Sequence, residues 1–446
     1  MNAFLKKLMD AAKAAGIDAC EAYIVERDSF SAMVNDGEVT EYKSNLTRGL
    51  GFRGLKGGRM GYASTEAFDD EAVDQLVKGV VESAELCEDT DSEFLYDGAE
   101  PVPEVNLRNP ELAAVSAQEK IECVKTLERI IKNHDARIDK AARNSIRTGS
   151  YTVRIVNSFG MDRSFTEDNC VMFGMAKAKD GEYVATGFYG DGGRSFDLLD
   201  PEKIGQETAK RAVAMLGAKP VPSGKYRVII QNKAMTDLLQ TFCGIFSAEN
   251  AQKGLSLLKD RLGEKIAADC VNIVDDPLLL KGMEARPFDA EGVPSKAHTV
   301  VEKGMFRTFL HNLKTAHKDG VETTGNASKA GYASAVHVAP SNFYIQPGEK
   351  TSEELMAEAG EGLLITEVSG LHAGANAVSG DFSLLSKGYV IEDGHRGRAV
   401  EQITMAGNFY ELLKNITAVA SNLEFPGMGT VGSPSVLAEG LSIAGK

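Results

Sequence analysis

The residues best able to do chemistry in this chain are its histidines, its cysteines and a short Ser-Gly-Asp run. Their spacing limits each of them. The histidines are His134, His298, His311, His317, His337, His372 and His395. A helical zinc site needs two donors about four residues apart on one face. No histidine pair has that spacing on a predicted helix, and His311 and His317 fall on opposite sides of one. The cysteines Cys20, Cys87, Cys123, Cys170, Cys243 and Cys270 include no CxxC pair, which excludes a zinc knuckle or dithiol redox motif. Isolated thiols of this kind behave as small apolar core residues in a reducing compartment.

Ser379-Gly380-Asp381 sets a hydroxyl beside a carboxylate in a predicted loop. No GxSxG elbow occurs and no base is placed by the spacing, so the tight-turn reading is favoured, with Asp381 accepting local backbone N–H bonds. A metal-free hydrolase would have to combine Asp381 with His372 or His395. Two stretches imitate nucleotide sites. Gly49-Leu50-Gly51-Phe52-Arg53-Gly54 satisfies GxGxxG, yet Gly57, Gly58 and Gly61 follow where a helix would have to start. A Gly-rich hairpin fits better. Ser223-Gly224-Lys225-Tyr226 lacks both the first glycine and the hydroxyl of a P-loop.

The elements that must position these residues follow from periodicity. Residues 3–15 put Phe4, Leu5, Leu8, Met9 and Ala12 on one helical face before Gly16. Strands are predicted over Glu21–Ser64, with a turn at Asn35-Asp36-Gly37, then a helix over Asp69–Leu86. The plan recurs: a helix over 116–133, strands over Ser145–Phe188 and a helix over Asp200–Leu216. Proline-bearing linkers, Tyr96–Pro110 and Lys219–Gly224, separate the parts. A strand over Tyr226–Gln231 leads to a helix from Asn232 to about Phe246, and short strands and turns dominate after Val271, broken by a helix over Ser352–Gly360. The fold expected is α+β: a duplicated helix–antiparallel meander–helix N-terminal region, followed by a mainly antiparallel β C-terminal domain. Domains are expected over residues 1–100, 111–218 and 222–446.

The chain has 446 residues and a net charge of −15, which repels phosphate backbones. No basic stripe offsets it, so no direct nucleic-acid binding is expected. Asp10 and two lysines interrupt any apolar signal segment, and no run is long enough to cross a membrane. A cytoplasmic location is expected.

One region is specific enough to indicate relatives. Strand-like pieces over Gly388–Ile391 and Ala399–Met405 flank the turn Glu392-Asp393-Gly394. The pattern GDFS-x₄-GYVIEDG, followed by Ile403-Thr404-Met405-Ala406-Gly407-Asn408, resembles the PmbA/TldE family, partner subunits of the TldD-type metalloproteases. Asp275-Asp276-Pro277, Phe288-Asp289-x-Glu291-Gly292-Val293, Thr324-Gly325-Asn326-Ala327 and Gly432-Ser433-Pro434 fit it too. The family also bears the older label of modulator of DNA gyrase.

The resemblance implies a pair in which a TldD-type subunit carries His-Glu-x-x-x-His and a distant cysteine around zinc, and cleaves unfolded or extended peptides. Counting back from Gln252-Lys253-Gly254 puts Leu239 and Gly244 at the histidine positions and Gln240 at the glutamate. Leu and Gly have no donor, and an amide cannot take the proton of a metal-bound water. No cysteine follows Cys270. No catalytic or metal-binding residue is therefore expected here, and zinc only in the partner. The implied role is a metal-free subunit of a cytoplasmic zinc protease, acting in proteolysis or peptide maturation with a TldD-type partner and a peptide substrate, as a homo- or heterodimer. Ser379, Gly380, Asp381, Phe382 and Asn408 are its candidate peptide-groove or interface residues. The alternative is a self-associating peptide- or protein-binding protein without protease activity.

Overall fold

The computed structural model describes residues 1–87, 91 and 93–446. Helix α1 (Asn2–Ala14) buries Phe4, Leu5, Leu8 and Ala12. Three antiparallel strands follow, β1 (Ala19–Asn35), β2 (Glu38–Lys56) and β3 (Arg59–Thr65). Asp36 and Gly37 turn β1 into β2 with φ of 53° and 80°, the double positive φ of a tight hairpin. Helix α2 (Asp70–Leu86) starts where Asp69 accepts the Ala72 N–H at 2.9 Å. With α1 it covers one face of the three strands through Leu50, Phe52, Leu76 and Val80.

A short helix, α3 (Pro110–Ala114), opens the second unit. Helix α4 (Ala117–Asn133) begins with a reciprocal capping box between Ser116 and Glu119. Strands β4 (Ile138–Asn157), β5 (Asp162–Asp180) and β6 (Tyr183–Gly193) form the second meander. Helix α5 (Pro201–Ala214) is capped by Asp200 and packs with α4 over Ile146, Met172 and Ala176.

The two units share one sheet. Residues Glu21–Val34 of β1 pair antiparallel with Asn157–Asn144 of β4, giving the order β3-β2-β1-β4-β5-β6. The buried Glu128 carboxylate on α4 ties them again, accepting the N–H groups of Asp36 and Gly37 at 2.7 and 2.8 Å.

The C-terminal region begins with β7 (Gly224–Ile230) and α6 (Asn232–Phe242). Strands β8 (Ile273–Asp275), β9 (His298–Glu302) and β10 (Met305–Phe306) follow, and β11 (Ala327–Ser328) pairs with β12 (His337–Val338). Strand β13 (Phe343–Ile345) joins β8. Then come β14 (Gly362–Ser369), β15 (Asp381–Glu392), β16 (His395–Asn408), β17 (Ile416–Val419), β18 (Val431–Gly432) and β19 (Val436–Ala444). One sheet runs β16-β15-β14-β7-β19-β17, and because β16 also pairs with β19 its five long strands close on themselves. Closure removes the exposed edges that an open sheet would leave. The second sheet is β10-β9-β8-β13-β18. Helix α6 lies in the main core, with Met235, Leu238, Leu239 and Phe242 wholly buried among Ile230, Ile365, Phe382 and Met405.

The fold is thus α+β, as the sequence predicts. The hairpin at Glu392-Asp393-Gly394 also forms, with Asp393 and Gly394 at φ of 50° and 75°. Its strands extend well beyond the predicted Gly388–Ile391 and Ala399–Met405, because ladder pairing continues to Asp381 and Asn408.

Candidate functional site

Helix α6 forms because its apolar residues recur at helical spacing and Gln231 enters it in an extended conformation. Leu239 points into the core with no exposure, while Gln240 faces solvent. The helix stops after Phe242 and tightens into a 3₁₀ turn over Cys243–Phe246, where the Gly244 carbonyl accepts the Asn250 Nδ2 at 2.9 Å. A zinc site of this kind needs side-chain donors, and neither Leu239 nor Gly244 has one. Among the described residues, no three His, Cys, Asp or Glu side chains converge as a metal site. The residues at these positions do not fit zinc.

The histidines are dispersed. His134 ends α4, His298 lies on β9, and His337 on β12. His311 is buried, and its backbone N–H donates to Thr324 Oγ1. His317 packs on Phe94 with ring centres 4.3 Å apart.

The loop before β15 brings Ser379, Gly380, Asp381 and Asn408 together. The Asn376 side-chain oxygen accepts from the Val378 and Ser379 N–H groups. Ser379 Oγ donates to Asp381 Oδ2 at 2.8 Å, and Asn408 Nδ2 donates to Ser379 O at 2.8 Å and to Asp381 Oδ1 at 2.9 Å. The amides and hydroxyl hold the Asp381 carboxyl below the usual carboxylate range, Asn408 first and Ser379 second. Gly380 has φ +83°, and a Cβ there would lie 2.6 Å from the Tyr410 ring. Both carboxylate oxygens of Asp381 are thus engaged by the turn and by β16, and the partners are Ser379 and Asn408 rather than His372 or His395. Phe382 and Phe409 connect this turn to α6, since the Phe409 ring stacks on Phe242 at 4.6 Å and Phe382 lies 6.3 Å from it.

The signature residues between 275 and 342 build a second polar centre, between the first sheet and the C-terminal region. Asp289 accepts the N–H groups of Glu291, Val293 and Ala327 at 2.9 to 3.0 Å. Asp275 accepts from Asn326 Nδ2 and Ser341 N, and burial still pushes its carboxyl up to about 6. Glu291 Oε2 receives the Leu313 N–H, and Oε1 faces Arg53 of β2 at 3.3 Å. Arg53 also binds Glu21 of β1 at 2.8 Å. All three side chains are buried.

The GxGxxG stretch has its use here. A Cβ on Gly51 would lie 1.8 Å from the Tyr332 carbonyl oxygen, and one on Gly49 would lie 2.2 Å from the Tyr332 ring. These glycines let the chain at Tyr332 lie flat on β2. The pairing of Arg53 with Glu21 and Glu291 is not legible in the sequence, because nothing local marks the three as neighbours, although Glu291 stands in a motif. The one available signal was an arginine inside a Gly-rich strand otherwise built for burial.

Comparison with known proteins gives matches over three segments of the chain. Residues 20–84 match domain 1, residues 110–216 the central domain and residues 223–445 the C-terminal domain of the PmbA/TldA metallopeptidases. The chain is 28% identical to Metalloprotease PmbA of Escherichia coli O157:H7 over 437 residues, covering 96% of this chain and 93% of that one. A crystal structure from Thermotoga maritima, provisionally described as a modulator of a DNA gyrase, superposes with a TM-score of 0.93 at 34% identity, covering 99% of this chain and 100% of that one. TldE from Thermococcus kodakarensis shares the fold with a TM-score of 0.90 at 23% identity, covering 99% and 100%.

Proposed function

The chain belongs to the PmbA/TldE family of the PmbA/TldD metallopeptidases, and on that premise we propose that it is the metal-free subunit of a two-component zinc protease acting on unfolded or extended peptides. The observation that carries this reading is the chemistry of α6. The positions expected to hold zinc ligands are a wholly buried leucine and a glycine, and the expected general base is an exposed glutamine amide. A TldD-type partner would supply zinc, the water it activates and the base. This chain would supply shape: the turn Ser379–Asp381 and Asn408 would line a groove or an interface beside α6, with Phe382 buried beneath them.

Zinc analysis and a peptide-cleavage assay test the proposal. The purified chain should hold no stoichiometric zinc and cleave nothing, and adding a TldD-type subunit should give cleavage that a chelator abolishes. Stoichiometric zinc, or cleavage by this chain alone, would overturn it.

One observation favours the alternative, a self-associating binding protein. From Glu38 to Gly49, β2 pairs with β1 alone, and its other edge is open among the described residues. Val39, Tyr42 and Leu46 are exposed along it, Leu46 by 78%. A free edge of that length offers main-chain pairing to a second chain. Size analysis separates the readings: homodimers that persist unchanged beside a TldD-type subunit would select the alternative.

A further inference from the structure

A cleft of about 740 Å³ lies over the first sheet, on the face turned away from its helices. Strand register lays out its open floor. Ser29 of β1 lies between Asn45 of β2 and Gly149 of β4, with Asn169 of β5 beyond. Two residues along, Ser31 lies between Lys43 and Arg147. Two residues the other way, Arg27 stands beside Tyr151, with its guanidinium 5.2 Å above that ring. Gly149 adds no side chain, so the middle of the floor is a dip ringed by hydroxyls and amides.

Arg27 and Arg147 are both exposed, and neither forms an ion pair among the described residues. The acids around the cleft are committed elsewhere. Glu41 is held by Lys43 at 2.6 Å, Glu167 by Arg194 at 2.5 Å and Glu284 by Arg286 at 3.4 Å. Arg147 acts on Glu41 only behind Lys43. Asp28 alternates to the other face of the sheet, where its charge reaches Lys120 of α4. Two bare guanidiniums on a chain of net charge −15 reverse its field locally. Arg27 and the Ser31–Arg147 pair are four residues apart along the strands, about 13 Å at the usual rise.

We propose that this floor binds an extended acidic peptide, with one side-chain carboxylate on Arg27, a second four residues along on Arg147, and the peptide backbone over Ser29, Ser31, Asn45 and Asn169. An extended chain advances about as far per residue as the strands beneath it, so carboxylates four positions apart meet both guanidiniums. Each guanidinium presents a planar fork that fits the two oxygens of a carboxylate. Hydroxyls and amides both donate and accept, as peptide groups require. An inorganic anion or a phosphodiester backbone would use the donors and leave the acceptors idle. The anion site rests on the floor alone; its assignment to a peptide rests on the peptide-handling role proposed above, whose substrate class it narrows.

Fluorescence anisotropy of the full chain tests this with the labelled peptide amide Ser-Glu-Ser-Gly-Ser-Glu-Ser, the same peptide with both Glu replaced by Gln, and unlabelled inorganic phosphate and a short oligothymidylate as competitors. In low salt the diacid should bind at least about fivefold more tightly than the Gln peptide, a preference that added salt shrinks. Arg27→Gln and Arg147→Gln, both at exposed positions, should each remove most of that preference. Lys6→Gln, exposed on α1 across the sheet, should leave it intact. Equal binding of the two peptides, a preference that survives both arginine substitutions or falls equally in Lys6→Gln, or displacement by phosphate or oligothymidylate at the diacid's own concentration would each overturn the site. Acid-selective binding by a chain that supports no partner's proteolysis would keep the site and discard the protease-subunit role. Proteolysis with a partner but no preference for the diacid would discard the site and keep the role.

Discussion

Arg53 Nη1 lies 3.3 Å from Glu291 Oε1 with both side chains about 4% exposed, so an ion pair shielded from water fastens the first sheet to the C-terminal region. Glu21 shares the same guanidinium. Removing one member of a buried pair strands the charge of the others, at a cost of about 3–5 kcal/mol. Arg53→Met strands two carboxylates and should lower stability by at least that much in urea unfolding. Glu291→Gln, which keeps an acceptor for Leu313, should cost less. A loss under about 1 kcal/mol for Arg53→Met would show that the network is not a fastening.

Glu167 on β5 gives a pH signature. Burial pushes its carboxyl up to about 7, against the pull of Arg194 at 2.5 Å. In the unfolded chain a glutamate titrates near ~4.3. Between those values the folded protein keeps a proton that the unfolded chain has released. The stability Glu167 contributes is therefore complete below about pH 4.3 and is lost as pH rises to about 7. Glu167→Gln does not titrate. The stability of the wild type minus that of this variant should fall across the window, by on the order of 4 kcal/mol at most, and be flat above it. A difference that rises with pH would contradict the assignment.

Leu239 and Gln240 are adjacent in sequence and opposite in environment. Leu239 is wholly buried, so Leu239→Ala should cost about 2–5 kcal/mol through the cavity it leaves. Gln240 is exposed, and Gln240→Ala should stay within about 0.5 kcal/mol. In an assay with a TldD-type subunit, Gln240→Ala and Gln240→Glu should both leave cleavage unchanged. Loss of cleavage in a folded Gln240→Ala complex would mean that this amide touches substrate.

The sequence shows the local elements because their causes are local. Asp69, Ser116 and Asp200 start helices where the predictions put them, since a cap is read within three residues. Asp36-Gly37 and Asp393-Gly394 turn for the same reason. The pairing of β1 with β4 is not legible, because it joins residues more than a hundred positions apart and leaves no periodic trace. The polar centre is partly legible: Asp289, Glu291 and Asn326 stand out as a motif, while Arg53 becomes a partner of it only through tertiary contact. Gly49 and Gly51 illustrate the converse. Their spacing imitates a nucleotide loop, and the demand they meet is the close passage of Tyr332.

The turn at Ser379-Gly380-Asp381 can be tested for shape against chemistry. A side chain at Gly380 would have to adopt φ +83° and displace the Tyr410 ring 2.6 Å away, so Gly380→Ala should cost at least about 1–2 kcal/mol. Asn408→Ala removes two donated bonds and the cap on Tyr410 N, a loss of about 1–3 kcal/mol. Asp381, whose carboxyl is held low by Asn408 and Ser379, contributes stability above the ordinary aspartate range that fades as pH falls through its lowered value, and Asp381→Asn should erase that fading. Ser379→Ala is the discriminating variant. If the turn only shapes a groove, this variant should keep most of the cleavage seen with a TldD-type subunit, while Gly380→Ala lowers it. Abolished cleavage in a folded Ser379→Ala complex would instead assign the hydroxyl a chemical part in the reaction.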